Sequence, residues 1–368
     1  MTMGNLKNAI VCMAAGKSQV IVIEKAKSLG YAVIAVDRNP EAPGFALSDE
    51  NLVLSTYDPI PIITALKELS ARYNIVGVVN RASGPPVVTT AAICKALNLP
   101  GIEPEMAATI LDKSKLMQLC QHYDIPAPVT QSVINFSEID REKLAFPCIV
   151  KPALSLIGKS GVSIVHNNDQ LSNAFAIAKT NSFNGIVNIE EYIRGRDVSL
   201  LAVVTKKKLY PVALLDELNI VDLKGCHKGT GFSVPSVYSS RPEEKSIIDL
   251  AERIVETLCL ETTALNMSCR CIEGGQPKLI EIHLDLSGDL ILDVLLPEST
   301  SFDVLKCQIE TMTGGIPKLE NINFTPTAVI FYDGDGLVSD RPYKILKSFD
   351  RSLLEGLIKI TQRRMYGQ

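Results

Sequence analysis

From residue 8 to residue 105 the chain alternates runs that read as strand with runs that read as helix, and this constrains its fold more than any other feature. NAIVCM, YAVIAVD, NLVLS and IVGVVN read as strands; VIVIEKAKSLG and IITALKELSARY read as helices, the first closed by Gly30, a residue suited to the left-handed turn after a helix. Alternating β and α at this spacing predicts a doubly wound parallel sheet.

Three nucleotide motifs come close here without forming. MAAGKS ends like a phosphate-binding loop, but the glycine that G-x-x-x-x-G-K-S requires would fall at Val11. The dinucleotide pattern G-x-G-x-x-G is absent between Met13 and Val20, although Asp37 ends the second strand where a ribose-binding acid would sit. A nicotinamide oxidoreductase therefore rests on Asp37 alone. The loop NRASGPP, residues 80–86, follows the fourth strand at its carboxyl end, where open α/β sheets bind ligands, so Arg81 and Ser83 are candidate substrate contacts; a plain turn fits as well.

Composition narrows the partners. With 368 residues, 46% of them hydrophobic, the chain can bury a large core in two or three domains. A net charge of −4 without a dense basic run offers no footprint for nucleic acid or an anionic membrane, which favours small-molecule partners. The nine cysteines are odd in number and scattered through apolar contexts such as FPCIV, as expected of reduced thiols in a cytoplasmic protein. Cys269 and Cys271 lack a second pair and the four histidines lack ligand spacing, which argues against structural zinc. The apolar run NAIVCMAAG is too short to span a bilayer, so a soluble, untargeted chain is expected.

Beyond residue 106 the pattern changes to α+β. One helix is expected from about 107 to 130, AATILDKSKLMQLCQHYD running into IPAPVT, then the strand FPCIVKP and the small-residue loop ALSLIGKSG. A helix from about Asp169 to Lys179 precedes the strands GIVNIEEYI, RGRDVSLLAVV and KKLYPVALLD, and PEEKSIIDLAERIVETLC reads as an amphipathic helix. TTALNMSCRC and PKLIEIHLDL, joined by the glycine turn IEGGQ, read as an antiparallel hairpin. In its second strand Ile280, Ile282, Leu284 and Leu286 would face a core while Glu281, His283 and Asp285 share the other face. By itself that row is also what an exposed edge strand would carry.

Lys113 on a helix, Lys151 at the end of FPCIVKP, the segment EEYIRGRD and the acidic hairpin, in that order, resemble the ATP-grasp superfamily, in its branch of carboxylate-amine ligases and biotin-carboxylase-like enzymes. The resemblance covers nearly the whole chain. It implies an N-terminal Rossmann-like α/β domain (1–106), a lid subdomain with its leading helix (107–195), a second ATP-grasp subdomain with metal-binding strands (196–324) and a small C-terminal extension (325–368).

The same resemblance assigns roles. Lys113 and Lys151 would meet the nucleotide phosphates, with Lys151 also catalytic; Ser160 and Gly161, in SLIGKSG, would cover those phosphates. Glu190 and the backbone of Glu191, Tyr192 and Ile193 would read adenine, and Asp197 the ribose. Glu281 would hold Mg²⁺. Two positions depart from the family's E-x-N-P-R strand: His283 stands where Asn is usual and Asp285 where Arg is usual. Ser268 stands where the partner strand usually has Asp, Glu or Gln, with Asn266 the nearest alternative. A histidine ligand would favour Mn²⁺ relative to Mg²⁺. Arg270 could replace the missing arginine, as could His227 or Lys228 in a loop over the acceptor. The expected activity is phosphorylation of a carboxylate to an acyl-phosphate that an amine attacks, with ADP and phosphate released, in a chain that admits a homodimer. A bicarbonate-dependent carboxylase and a catalytically weakened nucleotide-binding protein are the alternatives.

Overall fold

The computed structural model describes residues 6–155, 161–221, 227–272, 274–288, 290–320, 322–332 and 342–366. The first four strands, β1 (Lys7–Met13), β2 (Ala32–Asp37), β3 (Glu50–Val53) and β4 (Tyr73–Asn80), form a parallel sheet in the order β3-β2-β1-β4. Alternate residues of β1 enter two separate cores. Ile10 and Cys12 pack with Val22 and Ala26 of the helix Val20–Ser28, whereas Ala9, Val11 and Met13 pack with Ile62 and Leu66 of the helix Pro59–Leu69 and Ile93 of the helix Pro85–Ala96. Helices thus cover both faces, as the doubly wound reading requires. Gly30 takes φ +89 just after the first helix, where the sequence placed it.

Asp37 has a structural use. Its carboxylate accepts the N–H of Ala15 at 2.9 Å and that of Asn39 at 2.9 Å, holding the turn after β1, in which Ala14 adopts φ +66.

Four strands, β5 (Thr130–Val133), β6 (Cys148–Pro152), β7 (Ser163–Val165) and β8 (Val187–Glu191), build an antiparallel sheet in the order β5-β8-β6-β7, backed by the helix Asn168–Thr180. The remaining strands are β9 (Arg196–Thr205), β10 (Lys208–Val221), β11 (His227–Val234), β12 (Thr263–Cys271), β13 (Lys278–His283), β14 (Thr327–Phe331) and β15 (Tyr343–Lys347). They form one antiparallel sheet ordered β13-β12-β9-β10-β11-β14-β15, so the strands after residue 324 extend the sheet that carries the acidic hairpin.

One face of this large sheet packs on the helix Pro242–Thr257, whose Ile247, Leu250, Ala251, Ile254 and Val255 are buried at helical spacing. Each large aliphatic side chain so buried contributes roughly 1.5–3 kcal/mol. The opposite face meets the N-terminal sheet, because Leu201, Leu215 and Ala264 share a core with Ile10 and Cys12 and with the segment from Leu290 to Met312. The last helix, Arg351–Tyr366, seats Leu354 and Ile358 on Ala328 and Ile330 of β14. No helix among the described residues is long and apolar enough to cross a membrane.

Candidate active site

Lys151 is the next-to-last residue of β6, an apolar strand packed between β7 and β8. In the β6–β8 ladder Lys151 lies opposite Asn188 and Ile149 opposite Glu190, so these side chains share one face. The Lys151 ammonium reaches the Glu190 carboxylate at 2.8 Å with both side chains less than a tenth exposed. Asn188 Nδ2 donates to Glu190 Oε1 at 3.5 Å and its Oδ1 accepts from Ser132 at 2.8 Å. A cation and anion so far from water require each other, since either alone would carry its full desolvation cost.

Lys113 reaches the same region from another direction. The single helix expected from 107 to 130 is two helices, Pro104–Leu111 and Lys113–His122, because Asp112 between them is extended (φ −88°, ψ 105°). Its carboxylate accepts the N–H of Ser114 at 2.9 Å and that of Lys115 at 3.4 Å, so it caps the second helix. Lys113 becomes the first residue of that helix; its N–H bonds to Ala153 just beyond β6 at 3.0 Å, and its ammonium lies 3.2 Å from Glu281 Oε2.

The acidic hairpin forms with Ser268 opposite Glu281 and Asn266 opposite His283. A bulge follows: Cys269 pairs with Leu279, leaving Ile280 as the extra residue. The expected inward row is corrected accordingly. Leu279 is fully buried and Ile280 only partly, whereas Ile282, Leu284 and Leu286 are buried as expected. The strand ends at His283, so Asp285 lies beyond it, buried, and accepts the hydroxyl of Ser83 at 2.7 Å.

Glu281 is held on both sides, with His283 Nε2 lying 3.3 Å from Oε1. Burial alone would raise the Glu281 carboxyl, but Lys113, His283 and the more distant Lys151 hold it well below the usual carboxylate range. Burial likewise opposes charge on His283, yet the attraction and hydrogen bond of Glu281, reinforced by Asp285, bring its imidazole up to about 9. Asp285 moves opposite to Glu281: burial raises its carboxyl, and His283, Ser83 and Arg81 offset this only in part.

Across the sheet, Ser268 donates to Glu217 Oε1 at 2.7 Å, Ser199 donates to the same oxygen at 2.5 Å, and the two hydroxyls lie 3.1 Å apart. Glu217 was not singled out from sequence. Its only signal is an acid within the apolar run LLDEL, and its strand is separated from β12 by β9, so register alone brings it here. Asn266 Oδ1 is buried without a hydrogen-bond partner among the described residues, a polar oxygen beside His283 that calls for one. Among the described residues no three His, Cys, Asp or Glu side chains are gathered closely enough to hold a metal by themselves.

Arg270 grips Asp197 with a fork, Nε and Nη2 each 2.6 Å from a carboxylate oxygen, and donates from Nη1 to Ile193 O at 3.0 Å. Its guanidinium also lies 5.8 Å from the Tyr192 ring centre. Asp197 further accepts from Asn219 at 2.6 Å. The arginine expected to face phosphate is thus tied to the acid expected to face ribose. Glu191 pairs with Lys278 at 2.8 Å.

Arg81 is turned inward. Its two terminal nitrogens reach the Asp293 carboxylate at 2.8 and 2.6 Å, and Nε donates to Ser287 O at 3.1 Å. That fork ties the loop after β4 to the segment after β13, which is how Ser83 comes to meet Asp285. Gly161 takes φ +76, while Ser160 lies outside the described residues, as do the side chains of His227 and Lys228.

Comparison with known proteins agrees with this geometry. The model of the ATP-grasp domain matches residues 110–282. The carbamoyl phosphate synthase large chain of Clostridium botulinum is 25% identical over 222 residues, which are 58% of this chain and 20% of that protein. The chain therefore spans about a fifth of the length of that curated relative. N5-carboxyaminoimidazole synthetase from Staphylococcus aureus, solved with ADP, superposes with a TM-score of 0.75 at 15% identity, covering 97% of this chain and 98% of that one. L-amino acid ligase from Bacillus licheniformis superposes at 0.73 and 17% identity, covering 91% and 82%. At these identities the two structures speak for the fold.

Proposed function

We propose that this chain, whose residues 110–282 match the model of the ATP-grasp domain, is an ATP-dependent ligase that activates a carboxylate as an acyl-phosphate and joins it to an amine. The observation that carries this reading is the convergence of two lysines and Glu281 from three separate parts of the fold, close enough that both ammonium groups depress the Glu281 carboxyl.

In this reading a carboxylate oxygen attacks the terminal phosphorus of ATP, the bond to the bridging oxygen breaks, and ADP leaves. The amine nitrogen then attacks the acyl carbon, phosphate departs with the electrons of the C–O bond, and the nitrogen loses a proton. Lys151 and Lys113 are cations placed to offset charge on the phosphoryl oxygens, which lowers the barrier by positioning and electrostatics. The Glu190–Lys151 pair holds the ammonium in one orientation, so little reorganisation is needed.

The donors fit a hard divalent cation that takes most of its ligands from phosphate and water. Glu281 supplies carboxylate oxygens, Asn266 an amide oxygen without a partner among the described residues, and Ser268 a hydroxyl. Such an ion would supply Lewis-acid stabilisation of the transferring phosphoryl group. His283, charged and bonded to Glu281, would join as a ligand only on losing its proton.

The test is a screen for ADP and phosphate release across paired acids and amines, run with and without bicarbonate, using acids labelled with ¹⁸O in the carboxyl group. One labelled oxygen arriving in phosphate is expected. Release of AMP and pyrophosphate overturns the reading, and turnover that requires bicarbonate instead of an added acid replaces it with the carboxylase.

A further inference from the structure

We propose that a cavity beside the start of the helix Pro242–Thr257 binds a small zwitterion, a molecule with one amine, one carboxylate and an apolar body. The cavity has a volume of about 910 Å³, the size of a small-molecule site. Leu200 of β9 lines it, while the neighbouring Ser199 points the other way to Glu217. None of Lys113, Lys151 and Glu281 lines the cavity.

Its charges balance, three arginines (196, 241 and 351) against three acids (Glu244, Asp350 and Glu355). Most are already engaged. Arg196 holds Glu355 at 2.5 Å; Arg351 bonds to Asp216, behind the wall, and to Pro235 O at 2.7 Å; Asp350 accepts the N–H groups of Ser352 at 2.8 Å and Leu353 at 3.0 Å. Arg241 and Glu244 remain, three residues apart at the start of the helix Pro242–Thr257, and no ion pair holds either among the described residues. Glu244 is kept in place by the N–H of Ser240 at 2.6 Å, from a residue bent to φ +63. Nearby, Arg351 Nη1 is buried with no hydrogen-bond partner among the described residues.

A polyanion entering this cavity meets three carboxylates, and a polycation meets three guanidinium groups. A zwitterion pairs its carboxylate with Arg241 and its ammonium with Glu244, each charge meeting one of opposite sign. Leu200, Val237, Ile248 and Phe324 form the apolar wall for its body.

Calorimetry on the full chain tests this with L-phenylalanine as probe, against 3-phenylpropionate, which lacks the amine, and 2-phenylethylamine, which lacks the carboxylate. L-Phenylalanine is expected to bind at least about tenfold tighter than either analogue. Arg241→Ala and Glu244→Gln should each weaken it by about tenfold or more. Ser239→Trp, placed in a turn on the cavity wall, should abolish binding with an unchanged melting curve. Lys113→Met should leave binding intact, which separates this cavity from the candidate active site. Equal binding of either analogue, binding that survives Arg241→Ala, loss of binding in Lys113→Met, or no heat with L-phenylalanine overturns the proposal.

Discussion

The ammonium of Lys151 and the carboxylate of Glu190 lie 2.8 Å apart on neighbouring strands, both almost wholly shielded from water. Removing one partner leaves a buried charge that costs about 3–5 kcal/mol. Lys151→Met should therefore destabilise the protein by about that amount and weaken ATP binding by one to two decades, roughly 1.5–3 kcal/mol. Lys151→Met with Glu190→Gln should recover most of the stability and none of the ATP affinity. Denaturant melts and calorimetry on the two variants check this, and recovery of ATP affinity in the double variant would return Lys151 to a purely structural role.

Arg270 and Asp197 make a second test. Lysine cannot reproduce the fork of two hydrogen bonds on one carboxylate. Arg270→Lys should lose stability, and Arg270→Ala should lose at most about 3 kcal/mol, the low end for a broken buried pair, because this pair is only partly buried and Asn219 still donates to Asp197. If Asp197 binds the ribose, both variants also weaken ATP without changing the affinity for free phosphate. Urea titrations paired with nucleotide binding separate the two effects.

The pH dependence of His283 follows from its neighbours. Its imidazole is raised from 6.5 to about 9 in the folded protein, so charge on it favours folding. That stability is fully present below its unfolded value near 6.5 and is lost as pH rises through about 9. His283→Gln should therefore cost more stability at pH 6 than at pH 10 in chelator-treated protein. Mn²⁺ affinity, read by electron paramagnetic resonance, should rise over the same interval as the proton leaves. A stability difference independent of pH would show that the imidazole is not paired with Glu281.

Gly195 links β8 to β9 at φ +144, and a Cβ there would lie 2.2 Å from the carbonyl oxygen of Cys271. Gly195→Ala must shift the backbone between Ile193 and Asp197, at a strain of about 1–3 kcal/mol. It should lower the melting temperature and, if this segment reads adenine, weaken ATP more than inorganic triphosphate. Equal effects on both ligands would remove the adenine role.

The periodicities that decide local structure were legible in the chain itself. The β–α alternation to residue 105 and the hairpin at Thr263–His283 follow from burial on faces spaced at 2.0 or 3.6 residues, a property each segment carries alone. Glu281, Lys113 and Lys151 could be proposed because their order matched a family pattern. Partner choice could not be read, because it depends on which strands become neighbours. Strand order brought Glu217 to Ser268, one bulge moved Ile280 out of the core, and the fork from Arg270 to Asp197 needed β9 and β12 side by side in one register. Asp112 splits a helix whose apolar pattern runs on without a break, because a carboxylate that can cap backbone N–H groups outweighs the small cost of ending a helix early. Charge pairing acts over a few ångströms of space and apolar pattern over a few residues of sequence, so the elements could be read before folding while the pairs were decided by tertiary structure.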